Sequence, residues 1–176
     1  MNIYIPFAKD KNLGREVTKL VTQSTDKYVI IQDGDVLQLD SFYGNRIAEV
    51  VAANPEYALY TCYTNRIGCE AQLSPYSNWL NDDIAYHRDV ADKHWRKHGT
   101  EVIDVTNSTL ISGHTLVIDT KAFSEILPLP NIALGLDNEI HKRLRDKGYK
   151  VGLMAGIYVY HWYRGGNKAN KEHWKQ

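Results

Sequence analysis

The chain has 176 residues, 21 basic and 21 acidic side chains, and 43% hydrophobic residues. That length and apolar fraction suit one domain with a sizeable core, and the balanced charge removes any bulk electrostatic case for nucleic acid or a membrane surface. No apolar run is long enough to span a bilayer and the N-terminus has no signal-peptide pattern, so a cytoplasmic domain is expected.

The elements alternate along the chain. Asn2–Ile5 reads as a short strand, and Leu13, Val17, Leu20 and Val21 recur at helical spacing, which predicts a helix from about Gly14 to Gln23. Tyr28–Gln32 is β-branched and apolar, hence a buried strand. Asp40 or Ser41 is placed to cap a helix whose stripe is Tyr43, Ile47, Val50 and Val51, ended by Asn54-Pro55. Tyr57–Cys62 is a strand; the polar stretch from Tyr63 to Leu80 has no period and reads as a long loop. Ile84, Ala91 and Trp95 mark a helix ending near His98-Gly99, started by Asp82-Asp83. Val102–Val105 and Thr115–Ile118 are expected strands, Thr120–Ile126 a short helix, and Leu127–Pro130 an extended connector. Asp137–Lys147 is a helix closed by Gly148, with Glu139 and Arg143 paired on its surface. Lys150–Met154 and Tyr158–His161 close the sheet. The alternation predicts a single α/β domain with a mixed sheet flanked by helices. Cys62 and Cys69 read as buried free thiols rather than a disulfide scaffold.

The most informative feature is Asp33-Gly34-Asp35, placed at the end of the Tyr28–Gln32 strand. The C-terminal ends of strands are where open α/β sheets bind ligands. Two carboxylates about 4 Å apart repel by roughly 4 kcal/mol at an effective dielectric of 20, and a hard divalent cation turns that repulsion into binding. The plain alternative is an Asp-Gly-Asp turn that holds nothing.

The stretch from Lys11 to Leu37, KNLGREVTKLVTQSTDKYVIIQDGDVL, resembles the central part of family-2 GT-A glycosyltransferases, in which an N-x-G helix leads into the strand carrying a DxD motif. The stretch from Gly135 to Gly166, GLDNEIHKRLRDKGYKVGLMAGIYVYHWYRGG, resembles that family's C-terminal signature: an acidic residue, a helix ending in R-x-x-x-G-Y-x-V, a strand and a His. Between them, Ile111-Ser112-Gly113-His114 falls where the family has a Gly-rich acceptor-side segment. The fold implied is a Rossmann-like GT-A sheet. It is shortened, because little of the family's N-terminal, base-binding half has a counterpart before the N-x-G helix.

The resemblance implies a site. Asp35 would be the direct metal ligand, Asp33 would reach the metal through water or the donor's ribose, and His161 would complete the set. An imidazole ligand favours Mn²⁺ over Mg²⁺. The metal would neutralise a diphosphate leaving group. Arg164, ahead of Gly165-Gly166, would bring charge to the same phosphates on a 164–176 lid, with a solvated tail as the alternative. Asp137 aligns with the second of the family's two acids and is the candidate general base, in ionised form at a helix N-terminus. Its alternative is a cap. Ser112 and Gly113 are candidate donor- or acceptor-binding residues on this resemblance; Thr64, Asn65 and Arg66 are candidates because they end a strand near the same edge, with ordinary loop polarity as the alternative. The activity implied is inverting transfer from a nucleotide-sugar, a UDP-sugar above all, to a carbohydrate or other hydroxyl acceptor. A catalytically silent sugar- or nucleotide-binding module is the alternative. A two-metal phosphoesterase is disfavoured, because no second metal cluster is visible.

Overall fold

The computed structural model describes residues 1–163. Seven strands form one mixed sheet: β1 (Ile3–Tyr4), β2 (Tyr28–Gln32), β3 (Val36–Leu37), β4 (Tyr57–Thr64), β5 (Val102–Asp104), β6 (Thr115–Asp119) and β7 (Lys150–His161). The order is β1-β2-β6-β4-β7-β3, with β5 also on β7. The β1–β2 and β4–β7 pairs are parallel, whereas β6 runs antiparallel to both β2 and β4. That arrangement puts the C-terminal ends of β2, β4 and β7 and the N-terminal end of β6 on one edge. The expected single-domain α/β class with helices flanking a mixed sheet is what the chain forms.

Side-chain alternation divides the sheet's faces. Val29, Ile31, Leu59, Leu116 and Ile118 meet α1 (Leu13–Thr22), α4 (Thr120–Ser124) and α5 (Leu136–Asp146). Tyr28, Ile30, Tyr60 and Val117 face the opposite way, onto the Tyr43–Ile47–Val50–Val51 stripe of α2 (Tyr43–Ala53). Both faces are buried, which is why the strands read as continuous apolar runs. Each fully buried Leu or Ile contributes about 1.5–3 kcal/mol of transfer free energy. Both cysteines are buried and free.

Three departures from the expected elements matter. First, the acidic turn does not lead into loop: Val36 pairs with His161 and Leu37 with Tyr160, making the two-residue β3. Second, β7 is continuous where two strands were expected. Its pairing with β4 jumps from Cys62–Met154 to Tyr63–Tyr158, so Ala155, Gly156 and Ile157 bulge out. A Cβ on Gly156 would lie 2.0 Å from the Gly99 carbonyl oxygen, so only glycine allows the bulge to meet that loop. Third, α3 (Ile84–His98) buries His87 and His94 beside Val90 and Ala91, a stripe the apolar spacing alone did not reveal. Asp83 caps α3 as expected, accepting from Ala85 N–H. Asp40 instead accepts from Phe42 N–H ahead of α2, whose own N-cap makes no side-chain bond.

Candidate metal centre

Asp33 and Asp35 follow β2, and His161 ends β7, a strand that does not neighbour β2 in the sheet. The link is β3. Its pairing sets Val36 opposite His161, and Trp162 N–H donates to the Asp35 carbonyl at 2.8 Å. One ligand atom from each of Asp33, Asp35 and His161 then lies within 4.8 Å of the others. Among the described residues this is the one group of three or more His, Cys, Asp or Glu side chains able to converge on an ion.

The hydrogen bonds around His161 test whether the set suits a cation. Its Nδ1 lies 2.9 Å from the Arg66 carbonyl oxygen, which only accepts, so Nδ1 carries the proton. In the neutral ring Nε2 therefore presents a lone pair, and it sits 3.2 Å from Asp35 Oδ1, another acceptor. Two acceptors at that distance require a proton or a cation between them. A ligating histidine whose other N–H is held by a backbone carbonyl is the usual metal-site arrangement. The His161 side chain is 3% exposed while Asp35 is 45% exposed. The donor set of one imidazole and two carboxylates suits Mn²⁺ or a similar borderline ion.

The charges respond as a site would. The His161 hydrogen bond holds Asp35 below the ordinary carboxylate range. Although Asp33 remains exposed as a residue, partial desolvation of its carboxyl by the surrounding site pushes it up to about 6; His161 opposes that rise, and the charges of Asp35 and Asp137 add to it. Burial also raises the Asp137 carboxyl, against the bonds it accepts from Asn138 and Gly113 N–H. Desolvation outweighs those bonds, so the carboxyl lies higher than the helix start alone would set it.

Asp137 lies in the first turn of α5, after Gly135, the residue that precedes the helix. Its Oδ2 accepts from Gly113 N–H at 2.7 Å and its Oδ1 from Asn138 N–H at 2.9 Å. A Cβ on Gly113 would lie 2.9 Å from the Asp137 Cβ, so the glycine is what lets the two segments close on each other. Ser112 N–H donates to Gln72 Oε1, and Gln72 Nε2 donates back to the Ser112 carbonyl.

Asn65 and Arg66 frame His161. Asn65 Oδ1 accepts from His161 N–H at 2.8 Å, while its buried Nδ2 has no partner. Arg66 supplies the carbonyl for Nδ1, and its guanidinium is tied to Asp82 and to the Trp79 carbonyl. Arg164 and the expected 164–176 lid lie outside the described residues.

Two residues of this region were given no role of their own in the sequence reading: Gln72, and His114, which entered only as the last residue of the Ile111–His114 segment. Gln72, in a 3₁₀ turn (Glu70–Gln72), is fully buried and also donates to Thr61 Oγ1. His114 stacks on His161 with ring centroids 5.7 Å apart, and its carbonyl accepts from Asp33 N–H. Burial pushes the His114 ring down to about 3 and the neighbouring Cys62 thiol up to about 12, so the Cys62–His114 contact joins neutral groups, not a thiolate pair. A histidine directly after Ser112-Gly113 and before an apolar strand was the available signal. Gln72 carried none.

No protein-family model matches the chain, and no curated protein matches it in sequence.

Proposed function

We propose that the chain is a metal-dependent glycosyltransferase of GT-A type, which takes a nucleotide-sugar, with UDP-sugars as the expected donor class, and transfers the sugar with inversion to a hydroxyl acceptor. The observation that carries this reading is the convergence of Asp33, Asp35 and His161, the residues the family resemblance singles out, on one point. Asp35 and His161 would hold Mn²⁺ or Mg²⁺, which when bound would neutralise the donor's diphosphate. Asp33 adds charge on the donor side. Asp137, part-buried and with its carboxyl raised, is a stronger base than an exposed aspartate and takes the acceptor's proton. Asn65 and Arg66 hold the imidazole in register, and Ser112-Gly113 holds Asp137.

The test is turnover. A panel of UDP- and GDP-sugars is incubated with Mn²⁺, and nucleoside diphosphate release is followed. Release that needs Mn²⁺ and is lost in Asp35→Ala is the expected result. Tight binding without release for every donor would replace an enzyme with a binding module.

A further inference from the structure

Between α1, α5 and the sheet lies a cleft of about 240 Å³. Its walls are Leu13 and Val17 of α1, Ile31 and Leu116 of the sheet, and Leu136 and Ile140 of α5. Its acidic side chains are Asp33 and Asp137, so it runs into the site described above. Of the N–H groups along it, those of Asp33 and Gly113 are spent within the protein, on the His114 carbonyl and Asp137. Leu134, which also lines the cleft, is 93% exposed. Such an apolar pocket with a few convergent polar groups is the ordinary form of a small-molecule site. A nucleobase or a bare sugar would leave its own polar groups unpaired against these walls. A single ring fits by size, since an apolar cavity of about 150 Å³ already admits benzene.

We infer that this cleft binds the apolar end of the acceptor, a compact hydrophobic alcohol whose hydroxyl is presented between Asp33 and Asp137. The inference rests on the glycosyltransferase reading for its chemistry. The acceptor oxygen forms a bond to the anomeric carbon, the bond from that carbon to the diphosphate breaks with its electron pair on the leaving oxygen, and the hydroxyl proton passes to Asp137. Specificity then comes from Leu13, Val17, Leu116 and Ile140, which exclude water and favour an aryl or short alkyl group over a polar acceptor.

The test is a titration of the full chain with 4-methylphenol, followed by NMR, with uridine and glucose as competitors. Saturable binding that neither competitor displaces is expected. Ala133→Phe fills the cleft from the 130–136 loop, and Leu13→Phe fills it from α1. Each variant, once shown to be folded by its melting curve, should weaken 4-methylphenol binding at least about tenfold while leaving Mn²⁺-dependent UDP binding unchanged. No saturable binding, equal binding in both variants, or displacement by uridine would overturn the inference. Loss of Mn²⁺–UDP binding in the wild type beside intact 4-methylphenol binding would instead sink the glycosyltransferase reading and leave the cleft as a hydrophobic-alcohol site.

Discussion

Asp33 separates function from stability at the scale of one side chain. Its folded pKa, about 6, lies above the ordinary 3.8, so the native state binds the proton more tightly than the unfolded chain does. The sign follows: the charged form destabilises the fold above about pH 6, and that penalty fades as pH falls towards 3.8. Asp33→Asn should therefore raise the melting temperature of the metal-free protein at pH 7.5, and should weaken Mn²⁺ binding. Calorimetry with and without the ion checks both halves; a destabilised variant would make Asp33 a structural residue. In the wild type, Mn²⁺ affinity should decline as pH is lowered through 6, because the proton competes for the same carboxylate. Asp137→Asn keeps an oxygen for Gly113 or Asn138 N–H but takes no proton. Transfer should fall about 10²–10⁴-fold with donor affinity nearly intact. Wild-type turnover in this variant would reduce Asp137 to a helix-start residue. Asp33 was legible because it stands at the end of an apolar run, whereas Asp137 was legible only through its place in the family signature. Gln72 was not, because its role depends on contacts to Thr61 and Ser112, the latter 40 positions away, that no local pattern encodes.

Among elements, helices and central strands were readable from spacing, and the two features that build the site were not. β3 is two residues long and exists only through β7, so no period announces it. The β7 bulge looked like a break because Ala155-Gly156 interrupts the β-branched pattern, yet the backbone stays extended while its register slips. Gly156→Ala should cost about 1–3 kcal/mol, because the new methyl meets the Gly99 carbonyl. Gly68→Ala, with open space around its Cβ, is the control and should be near neutral. Chemical denaturation of the two variants settles the comparison. The buried face of α3 carries a second prediction. His94 bonds Ser74 Oγ and the Ala155 carbonyl, and burial holds its ring down at about 4. The unfolded chain then takes the proton first, so this group's support is complete above pH 6.5 and is lost as pH falls through about 4. At one pKa unit per 1.36 kcal/mol the loss is on the order of 3 kcal/mol. His94→Gln should flatten the stability profile across that window, and an unchanged slope would show that other groups govern acid unfolding.

Across the whole molecule, the sheet topology collects chemistry that the sequence spreads over 129 positions, from Asp33 to His161, on one edge. The mixed order matters: because β6 runs antiparallel, its N-terminal Ser112–His114 segment arrives beside the C-terminal ends of β2 and β4. On the opposite edge lies a depression of about 180 Å³ around Tyr57, Lys121 and Tyr149. Among the described residues no helix is long and apolar enough to cross a membrane. The fold class was legible from the alternation of strand and helix patterns, but the convergence of Asp35 with His161 was legible only through family resemblance, since nothing in either segment's composition points to the other.

The central claim is that Asp33, Asp35 and His161 form a metal centre for a diphosphate donor. The most direct measurement is the melting temperature of the wild type and of Asp35→Ala, each alone, with Mn²⁺, and with Mn²⁺ plus UDP. Ligand at 100 times its Kd stabilises by about 2.7 kcal/mol, a shift of roughly 5–10 °C for a chain of this size. The account predicts that shift in the wild type with Mn²⁺ and UDP together, and none in Asp35→Ala, whose metal-free melting temperature stays close to that of the wild type. An equal shift in both proteins, or none in the wild type, would contradict it.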